Sequence, residues 1–447
     1  MRKLLHILFL AISVNSYAQF TTGNLVIYRV GTGSGSLASS GNAVFLDEYT
    51  PTGTLVRSLA IPSSDPDGSG PNKQLIASGT ATSEGLLNRS VDGRYLILTG
   101  YGANTGTSGL AGTTSATVPR VVGIVDYQDN INTSTALTDY ASGNNPRSAT
   151  SVDGTAVWVC GAAGGVRYAS SGATTSSAVS TTVANLREIN VFQDQLYIST
   201  SSGSAVRIGT VGTGVPNTTG QTTVTLPGFA TSTGSPYQFM LFDLDATVAG
   251  PDVLYVADDG IGLSKYSLVG GNWVLNGTVG LSSDSYRGLT GTISGSTVTL
   301  YATRNGGGNA SGGGEFVSIV DATGYNAAIS GTPTLLATAA ANTAFRGIAL
   351  APVALSTPNN LSLTFNTTAN TAILPPFVSG TINDATDPAL TPGVTINVQE
   401  NAVAIPAANY TLTASSSNTA VVANSGISVN AFDGLAVVKI NPTGIGY

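Results

Sequence analysis

The sequence contains a series of predicted groups of β-strands, and most groups have an arginine at the same place in their first strand. The corresponding positions are Arg89, Arg147, Arg187, Gln238, Arg287 and Arg346, with glutamine in place of arginine in one group. Guanidinium groups hold carboxylates, sulfates and phosphates through planar pairs of hydrogen bonds. If the strands surround one axis, five arginines at one level form a positive funnel for an anion. Alternatively, each arginine bonds backbone carbonyls or an acid of the next group and holds the assembly together, and the repetition fits this interpretation well.

Two further polar residues lie close to Arg89 in the sequence. Glu84 precedes it in "ATSEG", and Tyr101 follows the next apolar strand. A carboxylate, a tyrosine and an arginine at one channel mouth could bind a polar ligand. They could also act as a histidine-independent hydrolase or lyase on acidic glycans or phosphoesters. The competing interpretation pairs Glu84 with Arg89 or with a backbone amide.

Clustered aspartates raise the question of calcium. Asp258 and Asp259 end a predicted strand in "YVADDG", and Asp384 and Asp387 lie in "NDATDP". Calcium takes six to eight oxygen ligands, but these spacings differ from those of an EF-hand. Capping of turns by aspartate is the alternative. No other cofactor is predicted.

Several catalytic classes are excluded by residue counts. The chain has one histidine, His6, and one cysteine, Cys160, so a Ser-His-Asp triad in the exported protein, a histidine-ligated metal and a cysteine-based zinc site are excluded. Cys160 lies in the apolar run "AVWVCG" and is expected to be a buried thiol. An enzyme here would have to use carboxylates, tyrosine, arginine or calcium.

The first 18 residues are predicted to be a signal peptide. Arg2 and Lys3 precede a short apolar run, and residues 16–18 are suitable for cleavage before Gln19. The run is shorter than the ~20 residues that span a bilayer. We expect a secreted, periplasmic or cell-surface protein. Its net charge is −7 even before Arg2 and Lys3 are removed, which argues against nucleic-acid binding.

A repeated turn sequence indicates how the strands that carry the arginines are arranged. "SVDGRYLIL" at 90–98 and "SVDGTAVWV" at 151–159 each place an Asp-Gly turn before an apolar strand. Similar units of four strands recur every 40–60 residues from 20 to 353. Such periods predict a β-propeller, whose first strands line the central channel.

Both ends of this region are predicted to share one blade. "FRGIALAPV" at 345–353 is a first strand without followers, and the N-terminal segments "NLVIYRVG", "AVFLDEYT" and "TLVRSLAIP" supply three more. The count is therefore six blades. Seven remains open because the stretches 102–118 and 211–236 are long enough to contain further strands.

Residues 354–377 are predicted to be a linker or a first strand, and 378–447 a small β-sandwich. The segment "SGTINDATDPALTPGVTINV" and the final "SGISVNAFDGLAVVKINPTGIGY" resemble an Ig-like repeat of large secreted bacterial surface proteins. In that family a last apolar strand follows the Pro-x-Gly-x-Gly-Tyr segment, so the sandwich is expected to be truncated at Tyr447. The propeller, with "ATSEGLLNRSVDGRYLILTGYG", resembles uncharacterised exported bacterial propellers, a resemblance that implies no particular activity.

The sequence thus predicts an all-β protein that acts as a secreted or cell-surface binding module. Its ligand, such as an anionic glycan or a surface protein, is expected at the channel mouth of a monomer. A passive scaffold within a longer surface protein is a further alternative to the hydrolase or lyase.

Overall fold

A computed structural model of the chain describes residues 19–64, 70–306 and 313–354, and shorter stretches between 361 and 441. The predicted signal peptide and the predicted calcium ligands Asp384 and Asp387 lie outside the described residues. The chain divides into two compact units, Met1–Ala354 and Leu355–Tyr447. None of the helices in the described stretches has the length and apolar character needed to cross a bilayer.

Unit 1, as far as it is described, is a propeller of six four-stranded antiparallel blades. Blade 1 combines both ends of the unit, and blades 2 to 6 follow in chain order. From blade 1 to blade 6, the inner strands are β25 (Ala344–Leu350), β5 (Asn88–Arg89), β9 (Pro146–Thr150), β13 (Glu188–Phe192), β17 (Pro236–Phe242) and β21 (Gly288–Ser294). The second strands are β1 (Leu25–Val30), β6 (Tyr95–Tyr101), β10 (Ala156–Gly161), β14 (Gln195–Ser199), β18 (Val253–Asp258) and β22 (Thr297–Arg304).

The outer half of each blade completes the sheet. The third strands are β2 (Gly41–Tyr49), β7 (Arg120–Asp126), β11 (Val166–Ser170), β15 (Ile208–Val211), β19 (Gly262–Val269) and β23 (Glu315–Asp321). The outer strands are β3 (Leu55–Ala60), β8 (Ile131–Leu137), β12 (Ser177–Ser180), β16 (Thr223–Thr225), β20 (Asn272–Val279) and β24 (Thr334–Thr338). The extra strand β4 (Ile76–Ser78) pairs with β2 and with β6, and so links blades 1 and 2.

Blade 1 closes the ring, which confirms the prediction from the two chain ends. Leu25 of β1 lies opposite Leu350 of β25 on one side and opposite Tyr49 of β2 on the other. The closure removes the exposed edges that an open array would carry. Of the two stretches that left room for a seventh blade, 102–118 contains only a short 3-10 helix and 211–236 contains β16 of blade 4.

The two "SVDG" turns behave alike and contact each other. Gly93 and Gly154 both have positive φ, 76° and 83°, which an Asp-Gly turn uses without steric cost. Across the blade boundary, Val91 N donates to Ser151 O at 3.1 Å and Asp92 N donates to Val152 O. The repeat therefore forms a backbone link between blades 2 and 3.

The apolar core lies between blades and explains the hydrophobic pattern of the second strands. Each is packed between two neighbouring sheets, so both faces are buried and the apolar run is continuous, as in "VLYVAD" of β18. Outer strands such as β3 are largely exposed. Cys160 is fully buried among Trp158 and Val166, as a small apolar residue would be.

The described part of unit 2 is one antiparallel sheet. Its strands are β26 (Leu361–Phe365), β27 (Val394–Glu400), β28 (Val403–Ala404), β29 (Ile427–Phe432) and β30 (Leu435–Ile440). β27 lies between β26 and β30, and β29 pairs with β30. Val438 is buried at its centre beside Ile396, Ile427 and Val429. This sheet is one layer of the kind that the predicted sandwich requires.

Candidate functional site

Gln238 of β17 bonds the inner strands of three other blades across the propeller axis. Its Nε2 donates to Leu87 O at 2.8 Å in blade 2, and its Oε1 accepts from Leu289 N in blade 6 and Ile348 N in blade 1. The side chain is buried, and its amide nitrogen and oxygen both form hydrogen bonds with other protein groups. Gln238, predicted as a ligand contact, thus fills the channel.

Asn88 of β5 completes this block from the opposite side. Its Nδ2 lies within hydrogen-bonding distance of Ser148 Oγ in blade 3, Ala149 O and, in blade 4, Ile189 O. Its Oδ1 accepts from Gln238 Nε2 at 3.3 Å. We call Asn88 and Gln238 the amide plug. It connects the inner strands of all six blades and divides the channel into two ends.

A buried carboxyl, Glu188, lies against the amide plug. Asn88, Ser148 and Gln238 surround it, but their hydrogens are directed to the acceptors named above, and neither Glu188 oxygen completes a hydrogen bond with a described residue. Burial, only partly offset by these polar neighbours, raises the pKa of Glu188 to about 8. Glu188 is therefore mostly protonated at neutral pH.

At one end of the channel the structure brings four of the predicted arginines together. They are Arg147, Arg187, Arg287 and Arg346, and we call this end the arginine mouth. Each lies near the start of its inner strand, in blades 3, 4, 6 and 1. Burial lowers the pKa of Arg187, and the charges of Arg147 and Arg287 lower it further. Burial also lowers the pKa of Arg346, and the charge of Arg287 lowers it further. The four cations therefore share one region.

Blade 5 supplies an aromatic ring and a carboxylate to the arginine mouth. The guanidinium carbon of Arg187 lies 4.0 Å from the centre of the Tyr237 ring, and that of Arg287 lies 5.4 Å from it. Arg287 Nη2 donates to both oxygens of Asp259, at 3.0 and 3.1 Å, whereas Arg187 Nη1 is 4.0 Å from Asp259. The same carboxylate and ring therefore serve two arginines.

Arg147 and Arg346 are held mainly by backbone and amide groups. Arg147 Nη1 donates to Asn185 Oδ1 at 2.6 Å and to Leu186 O at 2.9 Å. Arg346 is buried, and its Nη2 donates to Gly79 O. These contacts fix the direction of both side chains.

Glu84 lies on the blade 2 side of the arginine mouth, near Arg346 and away from Arg89. The carboxylate is buried and accepts from Tyr101 Oη, Asn145 Nδ2 and Ser78 N. Burial raises the pKa of Glu84, and these three donors together with the charge of Arg346 oppose the rise. Tyr101 is fully buried, and its hydroxyl donates to Glu84. Neither residue presents a free polar atom to a ligand.

Arg89 does not join the other arginines. The backbone of Leu86 bonds Arg147 at the level of the arginine mouth, and Arg89 lies three residues further along, about 10 Å at 3.3 Å per residue. It is on the far side of the amide plug. Its Nη1 donates to Ala351 O at 3.3 Å. The structure thus separates this residue from the funnel in which the sequence placed it.

Asp258 and Asp259 have different partners. Asp258 accepts from the backbone amides of Ser235, Gly260 and Ile261, which is the turn-capping arrangement. Asp259 pairs with Arg287. Over the stretches that are described, no three His, Cys, Asp or Glu side chains come together in a way that could hold a metal ion.

Three residues of these sites were not singled out from the sequence: Tyr237, Asn88 and Glu188. Tyr237 and Asn88 are direct neighbours of Gln238 and Arg89, so the arginine positions were the available signal. Glu188 follows Arg187 directly, and a charged residue at the start of the largely apolar strand "EINVF" is the feature that could have marked it.

Solved structures with a similar fold have low sequence identity. A nidogen/laminin complex is 13% identical with a TM-score of 0.43, covering 73% of this chain and 98% of that one. A putative 6-phosphogluconolactonase from Bacteroides uniformis is 14% identical with a TM-score of 0.37, covering 76% and 86%. The periplasmic gluconolactonase of Pseudomonas aeruginosa is 11% identical with a TM-score of 0.36, covering 71% and 82%. No family model and no curated protein matches the chain.

Proposed function

We propose that the protein is a binding module whose arginine mouth takes the carboxylate or sulfate groups of an anionic glycan. The observation that carries the proposal is the charge balance of this end of the channel. Four guanidinium groups lie there with three carboxylates, Glu84, Asp258 and Asp259. The excess of one positive charge stands out in a chain with a net charge of −7. A local field of one sign in a concave site concentrates ligands of the opposite sign.

Unused hydrogen-bond donors support the same proposal. Arg187 Nη1, Arg287 Nε and Arg287 Nη1 are buried and have no acceptor among the described residues. Buried donors are rarely left without a partner, and donors on a charged group cost more when unpaired. An oxyanion at this position would accept from two arginines that Tyr237 already holds in place.

The arginines remain within reach of a ligand. The side chains of Arg187 and Arg287 are 17% and 12% exposed, and that of Asp259 is 20% exposed. Guanidinium groups held on an aromatic face lose little conformational freedom when they bind. The glycan is proposed because the predicted export places the protein outside the cell, where acidic polysaccharides supply carboxylate and sulfate groups.

A catalytic function receives less support from the geometry. Acid–base hydrolysis of a glycosidic bond uses two carboxyl groups that flank the bond. Glu84 is buried under three donors and Asp259 is paired with Arg287. Neither carboxylate is thus free to act as a base or nucleophile.

Calorimetric titration of the purified chain tests the proposal. The ligands are a sulfated oligosaccharide, an oligogalacturonate and a neutral gluco-oligosaccharide of equal length. We expect the two acidic oligosaccharides to bind, the affinity to fall with salt, and the neutral one to give no heat. The double variant Arg187→Gln/Arg287→Gln should bind at least tenfold more weakly, since each charge-assisted hydrogen bond contributes about 1.5–3 kcal/mol.

Arg94→Gln is the matched control. The side chain of Arg94 is more exposed than those of Arg187 and Arg287. It pairs with Asp92 at the "SVDG" turn, away from the arginine mouth. This variant should bind as the unchanged protein does. Equal loss in both variants, or unchanged affinity in a folded double variant, would count against the arginine mouth as the binding site.

A further inference from the structure

The far end of the channel contains a cavity of about 250 Å³ beyond the amide plug. Inner strands of five blades contribute to its wall, including Arg89, Ser90, Asn190, Phe192, Met240 and Leu350. Asn88 and Gln238 form its floor. This volume lies just below the range of about 300–1,000 Å³ for drug-sized ligands, so an occupant would be a small molecule.

Arg89 is the cation of this cavity, and no carboxylate among the described residues forms an ion pair with it. Burial lowers its pKa, and no neighbouring carboxylate raises it. Within the described ranges, no acidic side chain lies within 4.0 Å of its guanidinium nitrogens, and its hydrogen bond to Ala351 O uses one of five donors. Arg89 lines the cavity, and its half-buried guanidinium group lies beside Gly93 and Ala351 with further donors that no described acceptor uses.

Three other polar residues of the cavity, Asn190, Ser90 and Gln238, are already paired, and Gln193 and Thr290 also line it. Asn190 Nδ2 donates to Asn88 Oδ1, and the Ser90 hydroxyl donates to Asp92. Gln238 Nε2 donates to Leu87 O. The amide floor is therefore neutral and saturated. Phe192, Met240 and Leu350 supply the apolar part of the wall.

We infer that this cavity is a second binding site, which takes a small monocarboxylate with an apolar body. The carboxylate would bond Arg89, and the body would contact Phe192 and Met240. One cation beside an apolar patch suits a ligand that has one charged end and an apolar body, because a second charge or a sugar would place polar groups against Phe192, Met240 and Leu350. The inference does not depend on the arginine mouth, because the amide plug lies between the two ends.

Titration with benzoate, benzamide and acetate, with binding monitored by ligand-observed NMR, tests the inference. Benzamide has the shape of benzoate without its charge, and acetate has the charge without the ring. We expect benzoate to bind with at least tenfold higher affinity than either. Arg89→Gln should weaken benzoate binding roughly ten- to a hundredfold, and Arg89→Lys should retain part of it.

The arginine-mouth variant Arg187→Gln/Arg287→Gln should retain the part of benzoate binding that Arg89→Gln removes, which separates this site from the proposed function. Equal binding of benzamide, no benzoate binding at millimolar concentration, or an unchanged affinity in Arg89→Gln would each overturn the inference. If Arg89→Gln fails to fold by circular dichroism, the comparison of benzoate with benzamide on the unchanged chain and on Arg89→Lys decides.

Discussion

Gln238 and Asn88 extend from opposite sides of the propeller and meet at its axis, where Gln238 Nε2 donates to Asn88 Oδ1 at 3.3 Å. Through these two side chains the six inner strands share one hydrogen-bonded centre. The amide plug also separates the channel into an arginine mouth and a cavity around Arg89. The two ends of the channel thus contain separate groups of charged residues, Arg147, Arg187, Arg287 and Arg346 at one end and Arg89 at the other.

The amide plug should be a major source of stability. Gln238→Leu keeps the approximate volume but leaves Leu289 N, Ile348 N and Leu87 O without their partner. Buried groups that lose their partner cost about 1–3 kcal/mol each, so for three groups we expect a loss of at least about 3 kcal/mol in the free energy of unfolding by urea. Gln128→Leu, at an exposed position, should change it by less than about 0.5 kcal/mol. Similar losses in both variants would contradict the proposed role of the plug.

Glu188 should make stability depend on pH. Its pKa is raised to about 8 in the folded protein, and the ordinary value is 4.5. The folded protein therefore keeps a proton that the unfolded chain releases above pH 4.5. The stabilisation from this group is complete below pH 4.5 and is lost as the pH rises towards 8.

Glu188→Gln removes this dependence because the amide does not titrate. Urea unfolding at pH 4.5, 6, 8 and 9 should show the two proteins nearly equal at pH 4.5. Above pH 8 the variant should be more stable by roughly 3–5 kcal/mol. A difference that stays constant across this range would mean that Glu188 is not the titrating group.

Tyr101 should stabilise the buried charge of Glu84. Tyr101→Phe removes a hydroxyl donor from a carboxylate that has no access to water, and we expect a loss of about 1.5–3 kcal/mol in unfolding free energy at pH 7. The control is Tyr197→Phe, whose half-buried ring packs against Phe192 and Phe239. That change should be close to neutral. If the two substitutions cost the same, the Tyr101 hydroxyl does not support Glu84.

The architecture could be predicted because its determinants are local and repeated. Asp92-Gly93 and Asp153-Gly154 are sequences typical of tight turns. Each is followed by a continuous apolar strand that is buried between two blades. The closure of blade 1 followed from counting strands, since Ala344–Leu350 had no successors and the first three strands had no predecessor.

The composition of each site could be predicted only in part. The arginines were correctly placed on or next to inner strands, but their depth along the channel depends on how each strand is positioned against its neighbours. Arg89 lies three residues deeper than the level of Arg147. The contacts that matter join residues far apart in the chain, such as Arg187 with Tyr237 and Arg346 with Glu84, and no local pattern signals them.

Asp259→Asn offers the most direct test of the arginine mouth. The substitution removes the carboxylate that competes with an anionic ligand for Arg287, while the amide oxygen can still accept a hydrogen bond from that arginine. A folding defect can only weaken binding, whereas removal of a competing charge a few ångströms away should strengthen it.

The measurement is the dissociation constant of the sulfated oligosaccharide at low ionic strength, for the unchanged chain and for Asp259→Asn. We predict an affinity roughly threefold to tenfold higher in the variant. An affinity that is unchanged or lower in a folded Asp259→Asn protein would show that these arginines brace the ring and do not bind the anion.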